Sequence, residues 1–455
     1  MNQAHRFSRL MQAALYGGAI ATTTAISLLT SPSSPAAQPA VPAAQPAFQD
    51  SPKAILDEAW QIINREYVDT TFNKVDWLAS RQVLLSQEYS STREAYAALK
   101  EQIQKLGDPY TRFMDPQQYQ SLTNQTSGEL SGVGIRLQVD ATSKVLTVVE
   151  PIENSPASAA GIQAGDRIVA IDGKLTAGMT VEDASQLIQG DVGTPVTLRI
   201  ERGATPAKDT LLTRARIEVP NVMSSVKQEG NAKIGYIRLT EFSSHAPDQM
   251  RKAIQKLSEQ QVQGFVLDLR NNPGGLLQAA VEISRMWIDS GSIVRQVNRV
   301  GESTEMSANQ TSLTKLPLTV LVNGNSASSS EIVTGALLDN RRATIVGSQT
   351  FGKALVQSVH ALGDGSGLAV TVAHYYTPAG TDISHKGITP NIRIDLTEQQ
   401  QMAFSVNQAL VATQADPQYK EAVKALQTSF AMNRPQGSAQ SSLVQEVGRN
   451  SQPSN

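Results

Sequence analysis

From about Pro220 the chain alternates short apolar runs with segments of helical period, and this alternation constrains the fold more than any other feature. "KIGYIRL" (233–239), "GFVLDLR" (264–270), "LTVLVNG" (318–324) and "ATIVG" (343–347) read as strands. "APDQMRKAIQKLSEQ" (246–260), "LLQAAVEISRMWI" (276–288) and "EIVTGALLD" (331–339) read as the helices between them. Strands separated by helices predict an α/β core with largely parallel pairing, here expected over 217–396. Helical residues 397–432 follow, and 433–455 reads as a loose, polar tail.

Upstream, the pattern changes twice. Residues 51–127 carry apolar positions at helical spacing, such as Leu56, Ala59, Ile62 and Ile63, until "GDPYTRFMDP" (107–116) breaks the helix with two prolines. Residues 128–216 hold short β-branched runs ("VGIRLQV", "VLTVVEPI", "DRIVAIDG", "PVTLRIERG") punctuated by Gly, Asn, Asp and Pro, with one helix at 181–188. That is a compact β domain. At the N-terminus Arg6 and Arg9 precede the uncharged run "LMQAALYGGAIATTTAISLL", and residues 1–31 read as an export signal or an N-terminal anchor. Its Ala, Gly and Thr content favours a cleaved signal over a retained anchor. Residues 32–50 form a Pro/Ala linker with no capacity for a core. The body of the protein is therefore expected outside the cytoplasm, in a periplasm, thylakoid lumen or cell envelope, with membrane association through the N-terminal segment if that segment is kept.

Composition removes several chemistries. Cysteine is absent, which excludes a thiol nucleophile, a thiolate zinc site and a disulfide scaffold. Lys plus Arg number 39 against 41 Asp plus Glu, so no basic surplus exists to hold nucleic acid. The five histidines stand in no H-E-x-x-H pattern, and no G-x-S-x-G elbow occurs. "GSQTFGK" (347–353) fits a phosphate loop, but Ala354 stands where a magnesium-binding Ser or Thr belongs. The following "ALVQSVHAL" alternates like a strand rather than a helix.

What remains is "NSASSSEIVTGALL" (325–338), with Lys353 downstream. A serine at the start of a helix meets free N–H groups and the positive end of the helix dipole, which favour a developing oxyanion. A lysine serves as its base only when burial lowers its pKa, and Phe351, Leu355 and Val356 supply apolar neighbours. Equally, Ser328-x-x-Glu331 is an ordinary capping box and Lys353 an ordinary turn lysine. Spacing alone leaves both readings open.

The motifs "SASSSEI…FGKALVQ", "DLRNNPGGLL" (268–277), "GDPYTRFM" (107–114) and "KGITPNI" (386–392) resemble, in order, those of the C-terminal processing, or tail-specific, serine proteases. The resemblance spans about residues 52–395. It implies a mixed α/β fold: a ClpP/crotonase-like catalytic core with an inserted PDZ β domain between helical N- and C-terminal segments. It implies Ser328 as nucleophile, Lys353 as base 25 residues later, and Gln357 as a polar partner of the lysine amine. The backbone N–H groups of Gly274 and Ser329 would form the oxyanion hole. Ser329 departs from the alanine of many relatives. "SGVGIRL" with "AGIQAGDRIVAIDG" resembles a PDZ domain, so Gly132, Val133, Gly134 and Ile135 would capture a substrate's C-terminal carboxylate. No metal or other cofactor is implied. The expected partners are proteins or peptides with apolar C-terminal tails. A catalytically inactive PDZ binding module is the alternative.

Overall fold

The computed structural model describes residues 15–16, 51–140 and 143–432. Apart from the two-residue strand Leu15–Tyr16, the expected signal, linker and tail lie outside the described residues.

Ser51 Oγ accepts from Lys53 N at 3.3 Å and Pro52 fills the first helical position, so the chain enters the helix Pro52–Glu66 cleanly. Its buried stripe, Leu56, Ala59 and Ile63, meets Trp77, Leu84, Leu99 and Ile103 from the helices Trp77–Ser86 and Thr92–Gln104. Phe113, Leu368 and Val370 complete the same cluster. Phe113 lies on the strand Arg112–Met114, which pairs antiparallel with Gly367–Tyr376. The helical lead-in thus shares a core with the C-terminal half.

Gly128, at φ 71°, ends the helix Pro116–Ser127 and turns the chain into the β domain. That domain is entered and left through an antiparallel ribbon, Glu129–Gly132 against Ala215–Glu218. Its sheet runs in the order Ile135–Val139, Leu146–Pro151, Arg167–Ile171, Pro195–Arg202, Thr205–Thr213, all antiparallel. With the helix Val181–Ile188 it encloses a separate core that includes Leu146, Val148, Ile168, Ala184, Val196 and Leu198. The edge strand Thr205–Thr213 buries only Leu212 and therefore carries no clear sequence pattern.

The central sheet has six strands: Val222–Glu229, Ala232–Leu239, Gly264–Asp268, Leu318–Val322, Thr344–Gly347 and Ile392–Arg393. All neighbours pair parallel except the first hairpin. Gly264–Asp268 and Leu318–Val322 are buried at every position, as parallel strands covered on both faces must be. Alternate residues sort to the two faces. Phe265, Leu267 and Val320 cluster with Met250, Ala280, Val333 and Leu337 of the helices Ala246–Glu259, Leu277–Trp287 and Ser329–Asp339. Val266, Leu321 and Val346 meet Tyr419, Ala422 and Val423 of the last helix, Pro417–Met432.

A second sheet, Leu355–Ala361, Gly367–Tyr376, Ser292–Asn298 and Ser303–Ser307, is antiparallel. The expectation of largely parallel pairing therefore holds for the central sheet alone. Leu355–Ala361 and Gly367–Tyr376 are joined by a short turn rather than a helix, and that permits only an antiparallel hairpin.

Candidate active site

Ser328 closes the loop after Leu318–Val322 and immediately precedes the helix Ser329–Asp339. Its backbone sits at φ 54°, ψ −112°, which a non-glycine residue adopts only where its surroundings impose it. Here the glycine turn imposes it. Ala327 N and Ser330 Oγ donate to Asn272 O at 3.1 and 2.8 Å, and Ser329 Oγ donates to Gly275 O at 2.9 Å. Gly274, at φ 114°, lies so close that a Cβ would stand 3.0 Å from Ser328 Cβ and 3.0 Å from Ala327 O. Glu331 accepts from Ser328 N at 2.9 Å, whereas Ser328 Oγ is fully buried with no hydrogen-bond partner.

Glu331 holds the lysine turn as well. Its carboxylate accepts from Thr350 Oγ1 (2.6 Å), Gly352 N (2.7 Å) and Lys353 N (2.9 Å). The glutamate is therefore both a helix cap and the clasp between two distant stretches of chain. Burial pushes its carboxyl pKa up, against the pull of these donors. The Tyr375 hydroxyl adds a second clasp, within hydrogen-bond distance of Ser328 O and Lys353 O.

Lys353 is 3% exposed, and its Nζ has no hydrogen-bond partner. It lies 4.4 Å from the centre of the Tyr110 ring. Its pKa is lowered from 10.5 to about 7, by burial first and by the charge of Arg112 second, with Asp108 and Glu331 opposing the shift. Near neutral pH a large share of this amine is unprotonated, the state a general base requires.

Gln357 is fully buried, with Oε1 unpartnered and Nε2 3.5 Å from Thr371 Oγ1. Thr371 Oγ1 donates to Asp108 at 2.6 Å, and Thr111 Oγ1 donates to the same carboxylate oxygen at 2.7 Å. Asp108, whose charge also acts on Lys353, is thus linked to Gln357 through Thr371. The four-residue offset between Lys353 and Gln357 does not place them on one face of a continuous strand. The strand begins at Leu355, two residues after Lys353, and the extra residue at the nearby register shift, Val372, lies on the opposite strand.

The Gly274 N–H is donated to Asn272 Oδ1 at 2.9 Å in this structure. The Ser329 N–H, at the first helical position, has no intrahelical acceptor. In the β domain, Gly132 ends one strand and Ile135 begins the next, with Gly134 at φ 78° between them. Val133 O accepts from Ala157 N (2.9 Å) and Gly134 O from Ile152 N (2.9 Å). Engaging the carbonyls fixes the loop, and no acceptor is present for the N–H groups of Val133 and Gly134 among the described residues.

The histidines lie elsewhere. His245 pairs with Glu129 at 3.1 Å. His360 meets Glu66 (2.7 Å) and Ser358 (3.0 Å) through the same nitrogen, which no Ser-His-acid triad does. The lysine of the phosphate-loop pattern is buried and followed by a strand, contrary to that motif.

Asp108, Tyr110, Arg112, Thr371 and Tyr375 surround the site without having been singled out from the sequence. The first three lie in "GDPYTRFM", a recognisable motif whose role spacing does not disclose, and Thr371 and Tyr375 look like ordinary strand residues.

Comparison with known proteins identifies the family. The model of peptidase family S41 matches residues 233–394, and a PDZ-domain model matches 147–202. The chain is 44% identical to the carboxyl-terminal-processing protease of Picosynechococcus sp., over 81% of this chain and 87% of that relative. It is 42% identical to the chloroplastic carboxyl-terminal-processing peptidase 2 of Arabidopsis thaliana, over 73% of this chain and 67% of the other. Among solved structures, it is similar to a photosystem II D1 C-terminal processing protease, with a TM-score of 0.51 and 35% identity, covering 81% of this chain and 99% of that one.

Proposed function

The chain belongs to the carboxyl-terminal-processing serine proteases of peptidase family S41, and from that premise we propose that it cuts its substrates with Ser328 as nucleophile and Lys353 as general base. One observation carries the assignment. Ser328 Oγ and Lys353 Nζ are both buried and unpartnered, on two turns that a single carboxylate, Glu331, ties together. Leaving such groups unsatisfied costs about 1–3 kcal/mol each, a cost that function explains and stability does not.

Neutral Lys353 takes the Ser328 proton as Oγ attacks the scissile carbonyl. The oxyanion is met by the Ser329 N–H and by the Gly274 turn, where Asn272 yields the glycine N–H to the substrate. The lysine ammonium then returns the proton to the leaving amine, and the acyl group stays on Ser328. Lys353 next deprotonates a water that attacks the ester, and Ser328 recovers its proton as the second product leaves. Gln357 positions the amine from the Thr371–Asp108 side.

The substrate class is a protein with an apolar C-terminal tail, its carboxylate held by the N–H groups of the loop Gly132–Ile135 and its strand added to the sheet edge. The solved relative is named for processing of photosystem II D1, and a C-terminal extension of that kind is the natural substrate we propose. Arg6, Arg9 and the apolar run after them support action outside the cytoplasm, as do the chloroplastic relatives. Among the described residues, no helix is long and apolar enough to cross a membrane.

The test is mass spectrometry of products from an unfolded peptide with an apolar C-terminus, using the wild-type chain, Ser328→Ala and Lys353→Ala. Cleavage by the wild type and by neither folded variant is expected. Cleavage that survives in either variant refutes the dyad.

A further inference from the structure

Arg112 differs from the arginines of this protein that are tied to acids or to carbonyls. Arg270 meets Asp268 and Asp416, Arg81 meets Asp57, Arg202 meets Asp166, and Arg342 is covered by the carbonyls of Trp287, Thr314 and Leu316. Arg112 sits on a strand whose neighbour Phe113 is buried, and its guanidinium has neither an ion pair nor a hydrogen bond among the described residues. Burial alone acts on it, lowering its pKa with no carboxylate to offset the effect. A half-buried guanidinium with no counter-charge is a ready partner for an anion.

The surroundings are built for such an anion. Arg112 lines a cavity of about 390 Å³ together with Lys100, Gln118, Gln125, Met114 and Leu122. Lys100 also lacks an acidic partner, and its Nζ rests 5.7 Å from the Phe113 ring centre. Glu241, which interacts with the cavity-lining Gln125, is pushed up by burial to about 7 and so is a poor counterion. Arg112 begins its strand two residues after Tyr110, whose ring centre lies 4.4 Å from Lys353 Nζ. Met114 and Leu122 also share a cluster with Leu276, next to the Gly274–Gly275 turn.

We propose that Arg112, assisted by Lys100, forms a second anion subsite beside Ser328 and Lys353 that binds a carboxylate of the peptide being cut. The planar guanidinium fork matches a carboxylate bidentately, and the amides of Gln118 and Gln125 supply further donors. A peptide carries this chemistry in two places, an Asp or Glu side chain near the scissile bond and the free C-terminus. The inference rests on the peptidase reading for the nature of the ligand, and on the cavity and its two unpaired cations for the site.

Binding to the full chain carrying Ser328→Ala tests it independently of turnover. One peptide series is C-terminally amidated and places Asp or Asn at each position around a fixed apolar pair; a second pair ends in acid or amide. Affinities are measured by fluorescence anisotropy with Arg112 intact, as Arg112→Gln and as Arg112→Lys. We expect the acidic member of one pair to bind about ten-fold tighter or more, falling to near equality in Arg112→Gln and to an intermediate ratio in Arg112→Lys. A ratio lost in the Asp/Asn pairs assigns the side chain, and one lost in the acid/amide pair assigns the terminus. Carboxylate capture by the β domain does not depend on Arg112 and cancels in the comparison. If Arg112→Gln does not fold, Arg112→Lys and Lys100→Gln carry the test. Ratios unchanged by every folded variant overturn the subsite. Cleavage of the same peptides by the wild type alone separately tests the dyad.

Discussion

The Arg270 guanidinium and the carboxylates beside it are matched, and around Ser328 the reactive side-chain atoms are not. The Arg270 guanidinium meets Asp268 (2.6 Å), Asp416 (2.8 Å) and Gln418 (3.1 Å), while Tyr236 donates to Asp268 at 2.8 Å. Burial pushes the Asp268 carboxyl up, but the charge and hydrogen bonds of Arg270 outweigh it and hold the group below the usual carboxylate range. Across the Gly274 turn, Ser328 Oγ, Lys353 Nζ and Gln357 Oε1 are buried without partners. One stretch, "DLRNNPGG", links the two clusters. Its first half anchors the last helix through Asp416, and its second half shapes the serine turn through Asn272, Gly274 and Gly275. In the first cluster opposite charges satisfy one another; in the second, a nucleophile and a base are left without partners.

Removing a member from each cluster breaks this comparison most sharply. Ser328→Ala and Lys353→Met are expected to lower kcat/KM by roughly 10⁴-fold or more while leaving the fold intact. Arg270→Met is expected to act oppositely, costing about 3–5 kcal/mol because it strands two buried carboxylates. Urea unfolding alongside peptide cleavage separates the two classes, and a stable Arg270→Met chain would sink the contrast.

Glu331→Gln comes next. Its four donors converge on one carboxylate, so an expected loss of about 2–4 kcal/mol accompanies a fall in activity as the serine and lysine turns part. Loss of activity without loss of stability would make Glu331 a reacting group rather than a clasp.

Lys353 predicts two pH effects. Its base form increases as pH rises through about 7, so kcat/KM should climb about ten-fold per unit below that value and level off above it. For stability the sign follows from proton uptake. Between about 7 and its ordinary value of 10.5 the unfolded chain holds this proton more firmly than the native one, so stability rises with pH across that window. Lys353→Met should therefore raise Tm by several degrees near pH 7, with the gain shrinking toward pH 10. Thermal scans at the two pH values measure it, and a Tm unchanged at pH 7 would contradict a buried amine.

The smallest effect is expected at Gln357. Gln357→Leu removes an unpartnered Oε1 and only a 3.5 Å contact to Thr371, so stability should change by less than about 1 kcal/mol. Activity should fall about ten-fold in kcat with KM little changed. A rise in KM alone would instead place Gln357 in substrate binding.

The elements of the core were legible because period carries them. Buried runs such as "GFVLD" and amphipathic runs such as "PDQMRKAIQKLSE" leave little choice of local structure. The edge strand Thr205–Thr213 and the second sheet were not. Exposed strands need no apolar alternation, and strand direction depends on connections rather than composition. Among the site residues, Ser328 and Lys353 were traceable to motifs, whereas Thr371 and Tyr375 looked like ordinary strand residues until the fold brought them to the site.

By itself, the sequence determined the order of domains, the exclusion of thiol and metal-thiolate chemistry, and the serine, lysine and glycines capable of reacting or turning. Only the tertiary structure decided what those groups became. A lysine acquires its pKa from what surrounds it, and the Tyr110 ring, the Arg112 charge and the dry pocket reach Lys353 from a segment some 240 residues earlier in the chain. Long-range packing sets solvation, and solvation separates a capping serine and a surface lysine from a buried, unpartnered pair.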